Sequence, residues 1–244
     1  MKNLMRLEFR RLSRKKSLYI CLGLAILMLI WLSYSAKSLA DLYGVSLYSA
    51  AATQLGVDLL LSAMELSLFT TFLCVFICLF VCEDYSLNTV KNILARGCTR
   101  GQLYFGKLIS TLTATSVMFV LLLSTAFFLN LRALGNGTDV PWDTILIHLG
   151  AQYVITLAYM SLYYVIATMF RKSGAAIATG LLLPIIFGII LRDRAYDYWL
   201  GSMSTDLTLT VMEPGRLPEC LWVPAIYIGA SLTAGYFWHK KADL

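Results

Sequence analysis

Charge and histidine are both scarce in this chain. Asp, Glu, Lys and Arg make up 14% of its 244 residues, where soluble domains carry about 25%. That shortage leaves no room for a sizeable water-facing domain. Its two histidines are His148 and His239, and no H-E-x-x-H or G-x-S-x-G run is present. A zinc-protease or serine-hydrolase centre is therefore excluded, and this chain is not expected to be an enzyme or to bind a metal. Only Cys220 of the six cysteines falls near the outer face proposed below; Cys21, Cys74, Cys78, Cys82 and Cys98 fall in apolar runs or on the inner side. One outer cysteine cannot build a disulfide framework. The run Gly101-Gln102-Leu103-Tyr104-Phe105-Gly106-Lys107-Leu108 lacks the Ser or Thr that a phosphate-binding loop uses to hold magnesium, and no strand precedes it. No cofactor is expected in this chain.

Hydrophobic residues, by contrast, make up 59% of the chain. A bilayer crossing takes about 20 helical residues, and six apolar runs meet that length, at 17–36, 60–82, 108–130, 144–170, 173–191 and 221–238. The expected fold is an all-α membrane protein, a single transmembrane domain over 1–244. The first run is too long for a signal-peptide core and is not followed by a small-residue cleavage site, so it is expected to be retained.

Orientation follows from Lys and Arg, which stay on the cytoplasmic side. Fifteen of the twenty basic residues lie in the N-terminal arm, the second gap, the fourth gap and the tail. Lys37, Arg132, Arg192, Arg194 and Arg216 lie in the other gaps, together with nine acidic residues. Both termini are thus expected in the cytoplasm. The net charge of +6 is a topology signal and gives no reason to invoke nucleic acid.

In the arm, 1–16, Met1, Met5, Phe9 and Leu12 share one arc of a helix, with Arg6, Arg10, Arg11 and Arg14 opposite. The pattern predicts an interfacial helix on the inner leaflet, in contact with membrane lipids; a plain positive-inside anchor needs only the charges. The first outer gap, 37–59, is too polar to span. The second gap predicts a short amphipathic cytoplasmic helix over 84–97, with Leu87, Val90 and Leu94 in register, Ile93 beside them, Asp84 or Ser86 at its start and Gly97 as a left-handed stop. Thr99 and Gln102 form a capping-box pattern for the next helix, which continues through Tyr104 and Lys107.

Within the runs, Glu65 is the only acidic residue well inside a span. A charge there costs at least about 2.5 kcal/mol, so Glu65 either serves a substrate path or sits close enough to the outer interface to be hydrated or protonated. Tyr159 and Tyr163, one turn apart, either line such a path or pack helices. Cys74, Cys78 and Cys82 recur every fourth residue on one face, a spacing that suits monovalent copper as well as plain apolar packing; no Met or His partner is in register. The fifth run opens small, Ser173 to Gly180, before Pro184 invites a kink. The last outer gap, 192–220, is the longest and suits helices that dip into the outer leaflet.

The order of these elements resembles the permease subunits of bacterial type-2, exporter-like ATP-binding-cassette transporters. The likeness rests on the arm with Glu8-Phe9-Arg10-Arg11, on six spans with both ends inside, and on the long last outer gap. Above all it rests on Asn88-Thr89-Val90-Lys91-Asn92-Ile93-Leu94-Ala95-Arg96-Gly97-Cys98-Thr99-Arg100, followed by Tyr104-Phe105-Gly106-Lys107. The resemblance implies that the loop between spans two and three holds a coupling helix that docks into a separate ATPase, which supplies ATP and magnesium. It implies a second permease copy or paralogue around a shared path. Glu83, Asp84, Lys91, Arg96 and Arg100 would then set polar contacts around an apolar docking face of Leu87, Val90, Ile93 and Leu94; otherwise they are solvated loop charges. The compact form resembles permeases that export, or give immunity to, amphipathic peptides, which implies the plasma membrane of a Gram-positive cell.

Two other classes fit the six runs. A stand-alone secondary transporter would carry mid-membrane ionisable groups and matching repeats, and only Glu65 and the Pro184 break qualify. A membrane scaffold or sensor would use the inner helix to bind a partner without ATPase activity.

Overall fold

The computed structural model describes residues 2–42, 69–86, 89–95, 97–134, 142–191, 198–209 and 218–241. Among these residues the regular structure is helical throughout, with no strand. In chain order the helices are α1 Lys2–Ser13, α2 Lys16–Leu42, α3 Phe69–Ser86, α4 Thr89–Ala95, α5 Arg100–Leu134, α6 Trp142–Phe170, α7 Ser173–Leu191, α8 Leu200–Leu209 and α9 Glu219–Lys241. Five of them, α3, α5, α6, α7 and α9, are long and apolar enough to cross a membrane, and α2 contains a shorter apolar stretch, Lys16–Trp31.

Several boundaries differ from the sequence expectation. Helix α2 does not stop at Lys37 but runs on to Leu42, because Ser38, Leu39, Ala40 and Asp41 contain no Gly or Pro to break the ladder. Residues 60–68 of the second expected span, Glu65 included, lie outside the described residues. The short helix expected over 84–97 forms as Thr89–Ala95, and Asp84 to Ser86 belong to the last turn of α3. There the Ser86 hydroxyl donates to the Glu83 carbonyl at 2.8 Å. Helix α7 passes through Pro184 without a break.

Two punctuation marks follow the chemistry of the chain. Gly97 takes φ +86° between α4 and α5, a left-handed conformation that costs a Cβ-bearing residue about 1–2 kcal/mol. Gln102 N–H then donates to Thr99 Oγ1 at 3.2 Å and Thr99 N–H to Gln102 Oε1 at 3.1 Å. This reciprocal box starts a helix of 35 residues, about 52 Å long, which exceeds a hydrocarbon core of about 30 Å.

Helices α3 and α6 are the most buried spans and α7 the least. Helix α6 packs most extensively on α9 and α3, with α7 and α8 also against it, while α2 covers α3 and α5. Two glycines set the closest approaches. A Cβ on Gly180 of α7 would lie 2.5 Å from Cys74 Sγ on α3, and one on Gly235 of α9 would lie 2.7 Å from Val165 Cγ2 and 2.8 Å from Tyr104 Oη. Small residues let apolar helices meet where lipid offers no hydrophobic drive. Polar pairs join the same seams: Ser161 and Ser231 hydroxyls lie 2.7 Å apart between α6 and α9. Gln152 Nε2 of α6 donates to Ser204 Oγ of α8 at 2.7 Å.

Candidate functional site

Glu8 is the only acidic residue among the first forty, and it lies one turn before Leu12 on α1. The apolar arc of α1 is pressed onto the bundle, with Leu12 buried, Phe9 half-buried and α5 beneath. Glu8 goes in with it and is 1% exposed. A buried carboxylate needs charged partners. Lys107 Nζ of α5 donates to Glu8 Oε2 at 3.4 Å, and Arg11 Nη1 lies 3.6 Å from Glu8 Oε1.

Both cations also hold Asp84 of α3. Arg11 Nη2 donates to Oδ1 and Lys107 Nζ to Oδ2. The ammonium of Lys107 lies 3.8 Å from the centre of the Phe80 ring, whose face attracts a desolvated cation. Glu8, Arg11, Asp84 and Lys107 thus form a neutral quartet joining α1, α3 and α5. Beside it Lys15, in the turn between α1 and α2, pairs with the partly exposed Glu83.

Aromatic groups close the cluster on the bundle side. Tyr164 Oη donates to the Tyr104 carbonyl at 2.8 Å, and Tyr104 Oη to the Leu232 carbonyl at 3.0 Å. His239 Nδ1 lies 3.3 Å from Tyr85 Oη, and the Arg171 guanidinium lies 5.7 Å from the Tyr85 ring centre. A void of about 20 Å³ is lined by Asp84, Lys107, Tyr104, Tyr164, His239 and Val90. Through Val90, helix α4 touches this group.

Arg11, Leu12, Glu83, Asp84 and Val90 come together around the quartet; Val90 is buried and Ile93 half-buried. Arg100 donates from Nη1 to the Lys240 carbonyl at 3.2 Å. Lys91 and Leu94 lie on α4, whereas Leu87 and Arg96 lie outside the described residues. On α1, Met5 and Phe9 are half-buried and Arg10 is exposed. Tyr159 and Tyr163 are packed away from this end, with ring centres 5.8 Å apart. Tyr159 is wholly buried, edge-on to Trp199 at 6.4 Å. Cys74, Cys78 and Cys82 are buried in the core, and Cys82 Sγ donates to the Ala167 carbonyl at 3.5 Å.

Glu8 and Lys107 enter the sequence reading only through the family likeness, with no site role assigned to either. The available signal was compositional: a lone acid in a basic arm, and a lysine inside a helix already turning apolar.

Apolar helices of bilayer length, tied at one end by a buried ion cluster, define a multi-pass membrane protein. Residues 4–191 match the ABC-2 family transporter protein, and the chain belongs to that family. It is an ATP-binding-cassette permease subunit, of a family that associates with an ATP-binding-cassette ATPase and whose members are typically non-catalytic membrane subunits. No curated protein matches the chain. All four quartet residues lie inside the matched segment, and α8 and α9 lie beyond it.

Proposed function

We propose that this chain is the permease half of an ATP-driven exporter, with six spans and both termini cytoplasmic, paired with a second copy or a paralogue. Helix α4 is its coupling helix. Leu87, Ile93 and Leu94 give the apolar docking contact, with Lys91, Arg96 and Arg100 around it. Glu83 and Asp84 act from behind α4, in the ion cluster that anchors it, and Val90 seats it on the bundle. The single observation that supports this reading is that α3 and α5, the two helices flanking α4, meet in the quartet that also holds α1. A push on α4 is then shared by three helices, as a two-state bundle driven by ATP requires.

The proposed cargo is an amphipathic or hydrophobic peptide, exported for secretion or immunity across a Gram-positive plasma membrane. The wide apolar surface and the scarcity of intramembrane charge favour such a cargo over a hydrophilic ion. Tyr159 and Tyr163 would meet it when α6 parts from Trp199, and Glu65 would act at the outer end of the path.

The test is purification of the tagged chain from native membranes in gentle detergent. A stoichiometric ATPase with a Walker motif is expected to co-purify, and Ile93→Asp with Leu94→Asp is expected to abolish stimulation of ATP hydrolysis while the bundle still folds. Reproducible absence of any ATPase, under conditions that preserve a known transporter complex, would instead support a secondary transporter or scaffold.

A further inference from the structure

The outer side of α1 and the turn into α2 enclose a groove of about 760 Å³, lined by Arg6, Arg10, Arg11, Arg14, Lys15 and Lys16, with Leu7, Ser17 and a single acid, Glu83. Arg11 and Lys15 are engaged by Asp84 and Glu83. Arg6, Arg10, Arg14 and Lys16 are exposed and make no ion pair with a carboxylate among the described residues. Four unneutralised cations around one concavity make a site for a phosphate-bearing group.

The groove is also held in shape. Tyr19 Oη donates to the Ser13 carbonyl at 2.7 Å, and Ser13 Oγ to the Arg10 carbonyl at 3.1 Å. The N–H groups of Arg14 and Lys15 donate back to Arg11 and Leu12 carbonyls at 3.2 Å. The quartet fixes α1 from beneath, so the four cations are presented together without ordering a loose arm.

What continues from the groove names its occupant. Lys16 begins α2, and Ile20, Leu24, Leu27 and Trp31 follow it at one-turn steps on the same face, all of them exposed. Leu7 adds an exposed apolar side chain at the groove itself. A soluble anion uses the cations alone, whereas a headgroup with acyl chains uses both the cations and the stripe. We infer that this groove binds the headgroup of an anionic phospholipid, whose chains lie along the exposed face of α2.

This inference rests on the reading of α1 as the interfacial helix. Binding in detergent is the same whichever side α1 faces, so its loss would leave the proposed orientation standing. The test titrates the full chain, delipidated in neutral detergent, with dioleoyl phosphatidylglycerol or dioleoyl phosphatidylcholine and reads retained lipid by native mass spectrometry. Phosphatidylglycerol is expected to bind about tenfold more tightly than phosphatidylcholine. Arg10→Gln with Arg14→Gln is expected to remove most of that preference, and Lys172→Gln, an exposed cation in the α6–α7 turn, is expected to keep it. Equal retention of the two lipids by the wild-type chain would overturn the inference, and that comparison needs no variant. So would an unchanged preference in the double variant, or displacement of phosphatidylglycerol by excess inorganic phosphate, which would mark a site for the free anion.

Discussion

Lys107 and Asp84 stand 23 positions apart in the chain, on either side of α4, and are paired inside the bundle with neither exposed by more than a few per cent. Their ion pair closes the neck of the loop that carries α4. A displacement of the loop therefore moves the ends of α3 and α5 together. Arg11 and Glu8 extend the same clasp to α1.

Removing one partner leaves a buried charge without compensation, which costs about 3–5 kcal/mol. Asp84→Leu is expected to lower the thermal midpoint of the purified chain by the equivalent of at least about 3 kcal/mol. Asp84→Leu with Lys107→Leu leaves the Glu8–Arg11 pair in balance and is expected to be milder than Asp84→Leu alone. If the double variant shows the sum of both single losses, the two side chains are not coupled.

Gly180 is a steric requirement. Gly180→Ala drives a methyl group into Cys74 Sγ and is expected to destabilise the α3–α7 contact by about 1–3 kcal/mol. Cys74→Ala makes room, so most of the loss should return in the double variant. Thermal unfolding of the two single variants and the double variant measures this directly.

The start of α5 depends on its cap. Thr99→Ala removes the acceptor for the Gln102 N–H and is expected to cost about 1 kcal/mol, while Thr99→Ser keeps the oxygen and most of the stability. Hydrogen exchange at Gly101 to Leu103 should rise in the alanine variant and stay low in the serine variant.

Cys98 is half-buried, while the other five cysteines are buried. The wild-type protein is thus expected to react once with a membrane-impermeant maleimide, at Cys98, in inverted vesicles and not in right-side-out cells. Labelling from the outside would reverse the proposed topology.

Much of this fold was legible because its signals are local. Apolar runs, Gly97 as a left-handed stop and the Thr99–Gln102 box depend on neighbours within one or two turns. The quartet was not legible, since Glu8 finds Lys107 at a separation of 99 residues and Arg11 finds Asp84 at 73. The periodicity of α1 placed Arg11 on the polar side, where a long guanidinium stem can still reach inward past Leu12. Val90 fits the apolar stripe of an amphipathic helix equally well whether that stripe faces a partner or the chain's own bundle. Helix α2 outran its apolar stretch because hydropathy reports residence in lipid, while helical backbone continues through polar residues that include no Gly or Pro.

The quartet holds two anions and two cations, and Lys15 with Glu83 adds one of each. A lone charge moved across a membrane potential gains or loses about 2.3 kcal/mol per 100 mV; a neutral group moving as a body exchanges almost none. The paired cluster itself therefore adds almost no dependence on membrane potential to a movement of α4.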